Sequence, residues 1–188
     1  MKRIPSLLVL FLALASSAAA QERTLLGRGF HSGGFGGPVV KFSEVDGDFA
    51  VFVGARGGWI INHTLVLGVG GYGLVNDIEI EPGFPEPWYI EFGYGGVELE
   101  YINSSNSLIH FTIYLLIGGG GLSTSLPGDE EAVFVMEPAA NIELNVTSYF
   151  RLCLGGAYRY VTAIRMPIFD DEDLSGAVGV MTFKFGAF

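Results

Sequence analysis

Apolar and polar residues alternate along most of the chain, the pattern expected of β-strands whose two faces meet different surroundings. The segment from residue 150 is an example: Phe150, Leu152 and Leu154 share one face, while Arg151 and Cys153 lie on the other. This alternation predicts eight strands, at about 33–42, 48–60, 64–77, 88–102, 107–122, 132–144, 148–163 and 175–187.

Two kinds of connection alternate between the predicted strands. Three short links begin at Asn62, Asn103 and Asn145, and each triplet also has the form of a glycosylation acceptor or comes close to it. Asn tolerates the left-handed conformation and Ser or Thr bonds the backbone locally, so these links are predicted to be tight turns. The other connections are predicted to be long and acidic, at 43–48, 76–87, 123–131 and 164–174.

The number and length of the strands indicate a fold class. An even number of strands of about ten residues, with short turns at one end and long loops at the other, is typical of an eight-stranded antiparallel up-and-down transmembrane β-barrel. Alternation alone leaves a second arrangement open, because an exported ligand-binding barrel would turn its apolar face inward. Aromatic residues such as Phe49 and Trp59 near strand ends favour the membrane version.

The first twenty residues have the form of a secretory signal peptide. Lys2 and Arg3 precede the apolar run LLVLFLALA, and small residues follow at Ala18-Ala19-Ala20. The predicted division is therefore a cleaved signal at 1–20, a short segment at 21–32 and the barrel at 33–188. The apolar run is too short to serve as a transmembrane helix.

Charge and cysteine content exclude some classes of protein. Loss of Lys2 and Arg3 with the signal leaves eight of the ten basic residues against twenty acidic ones, a net charge of −12. A nucleic-acid partner is not expected, since phosphate binding needs a basic surface. Cys153 is the one cysteine, so no disulfide within the chain is expected.

Charged residues on the inward face of the strands are predicted to form an ion-pair network in the lumen. An eight-stranded barrel is just wide enough for its own side chains, and buried charges persist when they are paired. The favoured interpretation is a plugged lumen, and the alternative is a narrow path for small solutes or apolar molecules. Glu91 joins this set only if a bulge at 95–96 shifts the register. The predicted network contains Arg56, Glu91, Glu98, Glu100, Glu137, Glu143, Arg151, Arg159 and Lys184.

The long connections contain most of the other carboxylates. The loop DDED, which is Asp170, Asp171, Glu172 and Asp173, has enough carboxylates for a divalent cation, although it lacks the regular spacing and turn glycine of an EF-hand loop. Looser bridging by Mg²⁺ or Ca²⁺ to lipopolysaccharide phosphates is a related hypothesis. No cofactor or bound structural metal is predicted, and the acidic loops alternatively serve only as a solvated surface.

Two stretches and the chain end carry a family resemblance. MEPAANIELNVTSYFRLCLGGAYRYV, DLSGAVGVMTFKFGAF and the terminal Phe188 resemble small bacterial outer-membrane β-barrels of the OmpX and OmpA-barrel type, including a group of Bacteroidetes type. The resemblance implies a location in the outer membrane, contact with its lipids and lipopolysaccharide, and insertion by the outer-membrane assembly machinery. Gly186 and Lys184 occupy the register counted back from Phe188, so a bulge near Gly186 is expected.

The predicted function is non-catalytic. Some small barrels resemble this chain in size but are enzymes that modify lipid A, and these need a His near a nucleophile at the outer rim. His31, His63 and His110 are all predicted to lie toward the other end of the barrel. The sequence therefore predicts an envelope protein that acts through its surface.

Overall fold

The structure, a computed structural model, describes residues 31–80, 88–124, 130–162, 164 and 170–188. The predicted signal peptide and most of the segment 21–32 lie outside the described residues. Within the described ranges, no helix is long and apolar enough to cross a membrane. The elements are β1 (Ser32–Val45), β2 (Asp48–Ile61), β3 (Leu65–Leu74), β4 (Glu79–Ile80), β5 (Trp88–Ile102), β6 (Ile109–Thr124), β7 (Glu130–Asn145), β8 (Phe150–Thr162), α1 (Asp171–Leu174) and β9 (Gly176–Ala187).

The eight long strands form a closed antiparallel barrel, which confirms the predicted fold class. Their order is β3-β2-β1-β9-β8-β7-β6-β5, and β3 pairs with β5 to close the cylinder. The two-residue strand β4 only extends the edge of β5 near its start. Closure leaves no free strand edge, so backbone polar groups along the wall are paired within the chain, as a lipid environment requires.

Tight turns join the strands at one end of the barrel, called here the short-turn end. Asn62 and His63 between β2 and β3 both have positive φ, near 51° and 55°, as does Ser104 between β5 and β6, near 54°. Thr147 Oγ1 accepts hydrogen bonds from the backbone N–H groups of Tyr149 and Phe150. These conformations and bonds confirm that the three Asn-bearing links are turns.

The opposite end, called here the long-loop end, departs from prediction at one connection. Val45 pairs with Asp48, and the turn between them consists only of Asp46 and Gly47, with φ near 51° and 80°. Two residues with positive φ make the favoured hairpin turn, because its twist matches that of the strands. The long connection predicted at 43–48 is therefore wrong, since strands β1 and β2 extend into it.

The register of every strand pair is continuous, so the two bulges predicted at 95–96 and near Gly186 are wrong. Pairing of β5 with both neighbours runs without an inserted residue through Gly95 and Gly96. Pro138 sits on the outward face, and the ladder to β8 is interrupted beside it without a change of register. The pairing of β9 is also uniform near Gly186, which leaves Phe188 on the inward side.

Inward-facing glycines make room for large interior side chains. A Cβ at Gly70 would meet a carboxylate oxygen of Glu98 and the hydroxyl of Tyr72, and one at Gly120 would lie 2.9 Å from Tyr94 Cβ. The inner surface of β3, β5 and β6 therefore has no side chain at the glycine positions, and the large interior side chains pack against the strand backbone there. This packing lets a barrel of only eight strands contain long polar side chains.

Apolar side chains fill the two ends of the interior. A large cluster toward the long-loop end includes Phe52 and Leu116, both fully buried, and a smaller cluster at the short-turn end includes Phe35 and Ile60. Polar and charged side chains are buried between these two clusters. The candidate functional site is this layered interior.

Candidate functional site

Three ion pairs centre on Glu100 and Glu143 in the half of the barrel nearer the short turns. Lys184 Nζ on β9 donates to Glu100 Oε1 at 2.7 Å and to Glu143 Oε2 at 2.6 Å, and Arg151 Nη1 on β8 donates to Glu143 Oε1 at 2.9 Å. All of these side chains are almost fully buried. Lys184 therefore links β9 to β5 and to β7 across the interior.

Arg56 on β2 joins a third carboxylate, Glu98, to the same group. Its Nε donates to Glu98 Oε2 at 2.6 Å, and its Nη2 donates to Glu100 Oε2 at 3.0 Å. His110 extends the group on the other side, with Nε2 lying 3.3 Å from Glu143 Oε1. Charge-assisted bonds of this geometry are the strong class of hydrogen bond, and they offset part of the cost of burying the charges.

Lys41 on β1 is an interior cation that the sequence analysis missed. Its Nζ donates to Glu137 Oε1 at 2.6 Å, and the same carboxylate accepts from Tyr94 OH at 2.6 Å and Tyr114 OH at 3.2 Å. Tyr72 also belongs to the network without having been predicted, since its hydroxyl donates to Glu98 Oε1 at 2.6 Å. The alternation along β1 indicates the inward position of Lys41, because both of its neighbours in sequence face outward.

Arg159 is buried without a carboxylate partner among the described residues. Its Nε donates to the carbonyl of Leu174 at 2.7 Å, and its Nη2 donates to the carbonyl of Glu44 at 3.2 Å. The guanidinium carbon lies 4.7 Å from the centre of the Phe52 ring, within the range of a cation–π contact. Arg159 thus ties the loop end of β1 and the end of α1 to the apolar cluster.

Glu91 is the one predicted network residue that the structure places elsewhere. Because the register of β5 contains no bulge, Glu91 falls on the odd, outward face, while Glu98 and Glu100 fall on the inward face. It is exposed and accepts a hydrogen bond from Ser123 at 3.4 Å. With Lys41 included, the described interior holds five Lys and Arg against four Glu, rather than the predicted four against five.

Both ends of the interior are covered by apolar side chains. At the long-loop end, Ile78 from the β3–β4 connection and Leu174 from α1 are buried in the large apolar cluster. At the short-turn end, the ring of Phe188 stacks on Phe35 with 6.5 Å between centroids. The guanidinium of Arg151 lies 4.0 Å from the centre of the Phe188 ring.

The loop of Asp170, Asp171, Glu172 and Asp173 folds mainly on itself. Asp173 Oδ2 accepts from the backbone N–H of Asp170 at 2.7 Å, and Asp171 Oδ1 accepts from that of Ile164 at 3.0 Å. In the described part of the chain, no three His, Cys, Asp or Glu side chains are grouped to hold a metal ion. The cation hypothesis for this loop therefore gains no geometric support.

Acidic side chains meet where α1 approaches the β1–β2 turn. The backbone N–H of Asp46 donates to the carbonyl of Asp173 at 2.8 Å. Partial burial, followed by the negative charges of Asp173 and Asp48, raises the pKa of Asp46 above its usual value of 3.8. The negative charge of Asp46 is therefore unfavourable to the folded state.

Comparison with protein-family models and with curated proteins finds no match. The solved structures that are similar to this chain in fold include the following three. Neisserial surface protein A is 13% identical with a TM-score of 0.57, covering 85% of this chain and 99% of that one. Ail of Yersinia pestis, in complex with the heparin analogue sucrose octasulfate, is 12% identical with a TM-score of 0.52, covering 82% and 97%. OprG of Pseudomonas aeruginosa is 8% identical with a TM-score of 0.51, covering 82% and 93%.

Identities this low carry information about fold alone. The Bacteroidetes-type resemblance stays a prediction, since none of these structures tests it. The closed eight-stranded wall and the three similar structures agree on architecture, and the chain has the fold of the small outer-membrane β-barrel proteins.

Proposed function

We propose that the chain is an integral protein of the bacterial outer membrane whose barrel is plugged and which acts through its surface. The outward face supports the membrane location, because large apolar side chains such as Leu99, Ile113 and Leu154 are about half exposed there. Charged side chains of the middle of the strands point inward instead. A soluble barrel with its apolar face inward would have the opposite arrangement.

The burial of apolar side chains at both ends of the interior, with charged side chains buried between them, supports a plugged barrel. Ile78 and Leu174 cover the long-loop end, and Phe35 and Phe188 cover the short-turn end. Between them the charged side chains other than Arg159 are paired at 2.6–3.3 Å, and all of them are almost fully buried. A selective pore instead needs a wet path lined by charges of one sign.

The outer surface suits cationic rather than anionic partners. Each Lys and Arg among the described residues is inside the barrel, whereas Asp48, Asp77 and Glu130 are exposed at the long-loop end. A sulfated sugar such as the one bound to Ail is therefore not a ligand that we propose here. Lipopolysaccharide contact through bridging Mg²⁺ or Ca²⁺ and insertion by the outer-membrane assembly machinery are part of the proposal.

The histidines support a non-catalytic role. His110 is buried beside Glu143, and the rings of His31 and His63 lie 5.3 Å apart at the short-turn end. A hydrolase acting on outer-leaflet lipid needs its base and nucleophile at the opposite end. The proposed function therefore assigns no reaction to this chain.

Two measurements test the proposal. Membrane fractionation followed by electrophoresis of unboiled and boiled protein should show outer-membrane location and a shift in mobility on boiling. The purified protein should produce no steady conductance in planar lipid bilayers. As a positive control, a variant with Glu143→Ala, Lys184→Ala and Phe188→Ala should conduct more than the unmodified protein. Recovery from the periplasm without detergent would refute the membrane location, and stable conductance of the unmodified protein would favour the narrow-channel alternative.

A further inference from the structure

A patch of bare backbone lies on the outward face of the barrel near the long-loop end. The neighbouring strands β3, β5 and β6 pair there so that their outward residues form rows across the sheet. In two successive rows, every outward residue is glycine. The rows span about 10 Å across the strands and lie about 7 Å apart along them. They consist of Gly73, Gly93 and Gly121 and then Gly71, Gly95 and Gly119.

The chain itself does not require glycine at half of these positions. A Cβ at Gly71, Gly73 or Gly121 would meet nothing within 4 Å in the described part of the chain. Among the described glycines, only Gly47 has the positive φ that favours this residue. Glycine weakens a strand, and in a strand it often marks close approach by another molecule. The open space therefore lies outside the wall, on the side that faces the membrane.

Bulky apolar side chains border the patch. Val69, Val97 and Ile117 form the next row toward the short-turn end, and they are 46–63% exposed. Val53 and Phe134 stand on the two sides, each paired with one of the glycines. The patch is thus a shallow trough in the lipid-facing surface, deep enough for an alkyl chain to lie against backbone.

The trough ends in an acidic rim at the long-loop end. Glu91, Ser123 and Glu130 form the row beyond the glycines, aligned across β5, β6 and β7. They line a groove of about 920 Å³ together with Asp77 and two of the patch glycines. An apolar floor and a carboxylate end are thus continuous on one face of the barrel.

We propose that this groove binds a lipid of the surrounding membrane that carries a protonated amine in its headgroup. The chain of the lipid lies on the glycine floor, and the ammonium group sits between Glu91 and Glu130. Charge complementarity selects this occupant, because the described outer surface holds carboxylates and no Lys or Arg. A second copy of the barrel would bring carboxylate against carboxylate at the same rim. The inference rests on the proposed membrane location, but it does not depend on whether the lumen is plugged.

The test uses the folded protein in dodecyl maltoside micelles with three probes of equal chain length. Dodecylamine, dodecanol and dodecyl sulfate are titrated separately while NMR follows the backbone amide signals of the patch glycines. Saturable shifts are expected with dodecylamine at pH 7, and affinity about tenfold weaker with the alcohol and the sulfate, because neither carries a positive charge to meet the two carboxylates.

Two variants separate the floor from the rim. Gly71→Leu with Gly121→Leu fills the trough, and Glu91→Gln with Glu130→Gln removes the charge while keeping the size. Each is expected to weaken dodecylamine binding about tenfold or more. Gly179→Leu is the matched control for the floor, because Gly179 is an exposed outward glycine on β9, away from the groove. Glu44→Gln is the control for the rim.

The outcomes are distinguishable. Equal binding of the three probes, or equal loss in the control variants, would overturn the proposal and assign the glycines to curvature of the wall. Association of barrels that Gly71→Leu with Gly121→Leu abolishes would identify a second copy as the occupant and also overturn it. The mobility shift on boiling verifies folding of each variant, so a variant that fails to fold is recognised and replaced by Gly71→Ala with Gly121→Ala.

Discussion

The carboxylates of the barrel wall occupy two contrasting environments. Glu143 and Glu137 are fully buried and accept hydrogen bonds from cations and hydroxyls. Glu91 and Glu130 are exposed on the same sheet, on a surface where the described residues include no Lys or Arg. The same side-chain chemistry is therefore structural on one face of the wall and available to partners on the other.

The difference shows that an odd or even position along a strand decides whether a charged side chain faces the interior or the surface. One residue of displacement along a strand moves a carboxylate from the interior to the surface. An interior carboxylate without a cation would carry a large desolvation cost, so each is matched by side chains from other strands. Carboxylates on the surface face no such requirement, and they accumulate at the long-loop end.

Removal of an interior carboxylate is expected to have the largest effect. Glu143→Gln leaves Lys184 with one partner, Glu100, and leaves Arg151 without a charged partner among the described residues. We expect it to lower the free energy of unfolding by about 3–5 kcal/mol, because a buried charge becomes uncompensated. Urea unfolding in lipid vesicles measures this, with Glu130→Gln as the exposed control, expected within about 0.5 kcal/mol of the unmodified protein. Equal effects of the two substitutions would contradict the comparison.

Substitutions at Lys41 test whether its ion pair with Glu137 or the burial of its side chain stabilises the folded protein. Lys41→Met should lower the free energy of unfolding by about 2–3 kcal/mol, since Glu137 keeps its two tyrosine donors but loses its cation. Adding Glu137→Gln should recover at least half of that loss, because no unpaired charge then remains. A double-mutant cycle measures the coupling, and strictly additive losses would argue against a direct pair.

Phe188 tests whether the interior is sealed at the short-turn end. Phe188→Ala removes the ring from Arg151 and should lower the free energy of unfolding by about 1–2 kcal/mol, less than for a fully buried ring. Water should then reach buried Cys153, so its reaction with a water-soluble maleimide should accelerate several-fold. Phe185→Ala is the matched control, because Phe185 faces outward. An unchanged labelling rate in Phe188→Ala would show that other groups seal this end.

Asp46 gives the smallest expected effect and a pH dependence. Its raised pKa means that the folded chain binds the proton more tightly than the unfolded chain does. The contribution of Asp46 therefore favours folding below pH 3.8 and is lost as the pH rises through its folded pKa. Asp46→Asn should raise the free energy of unfolding at pH 7 by about 0.5 kcal/mol or less, and by nothing at pH 3. A stabilisation that is equal at both pH values would assign the effect to the turn conformation instead.

Prediction of the inward-facing residues from the sequence succeeded in strands whose other face is consistently apolar. Arg151 and Arg159 fell on the interior side because their strand alternates without exception. The prediction for Glu91 is wrong because β5 carries glycine on both faces, which hides the phase of the alternation between Glu91 and Glu98. Lys41 was missed because β1 combines glycine, proline and serine with few bulky residues.

The sequence by itself determined the eight strands, their turns at the Asn-bearing links and the class of barrel, because these depend on residue period and local backbone preference. It did not determine which cation meets which carboxylate. Lys184 meets Glu100 across 84 positions of sequence, a pairing set by strand order and register around the closed wall. The tertiary structure likewise decided that six outward glycines coincide, since a patch exists only where neighbouring strands place their rows side by side.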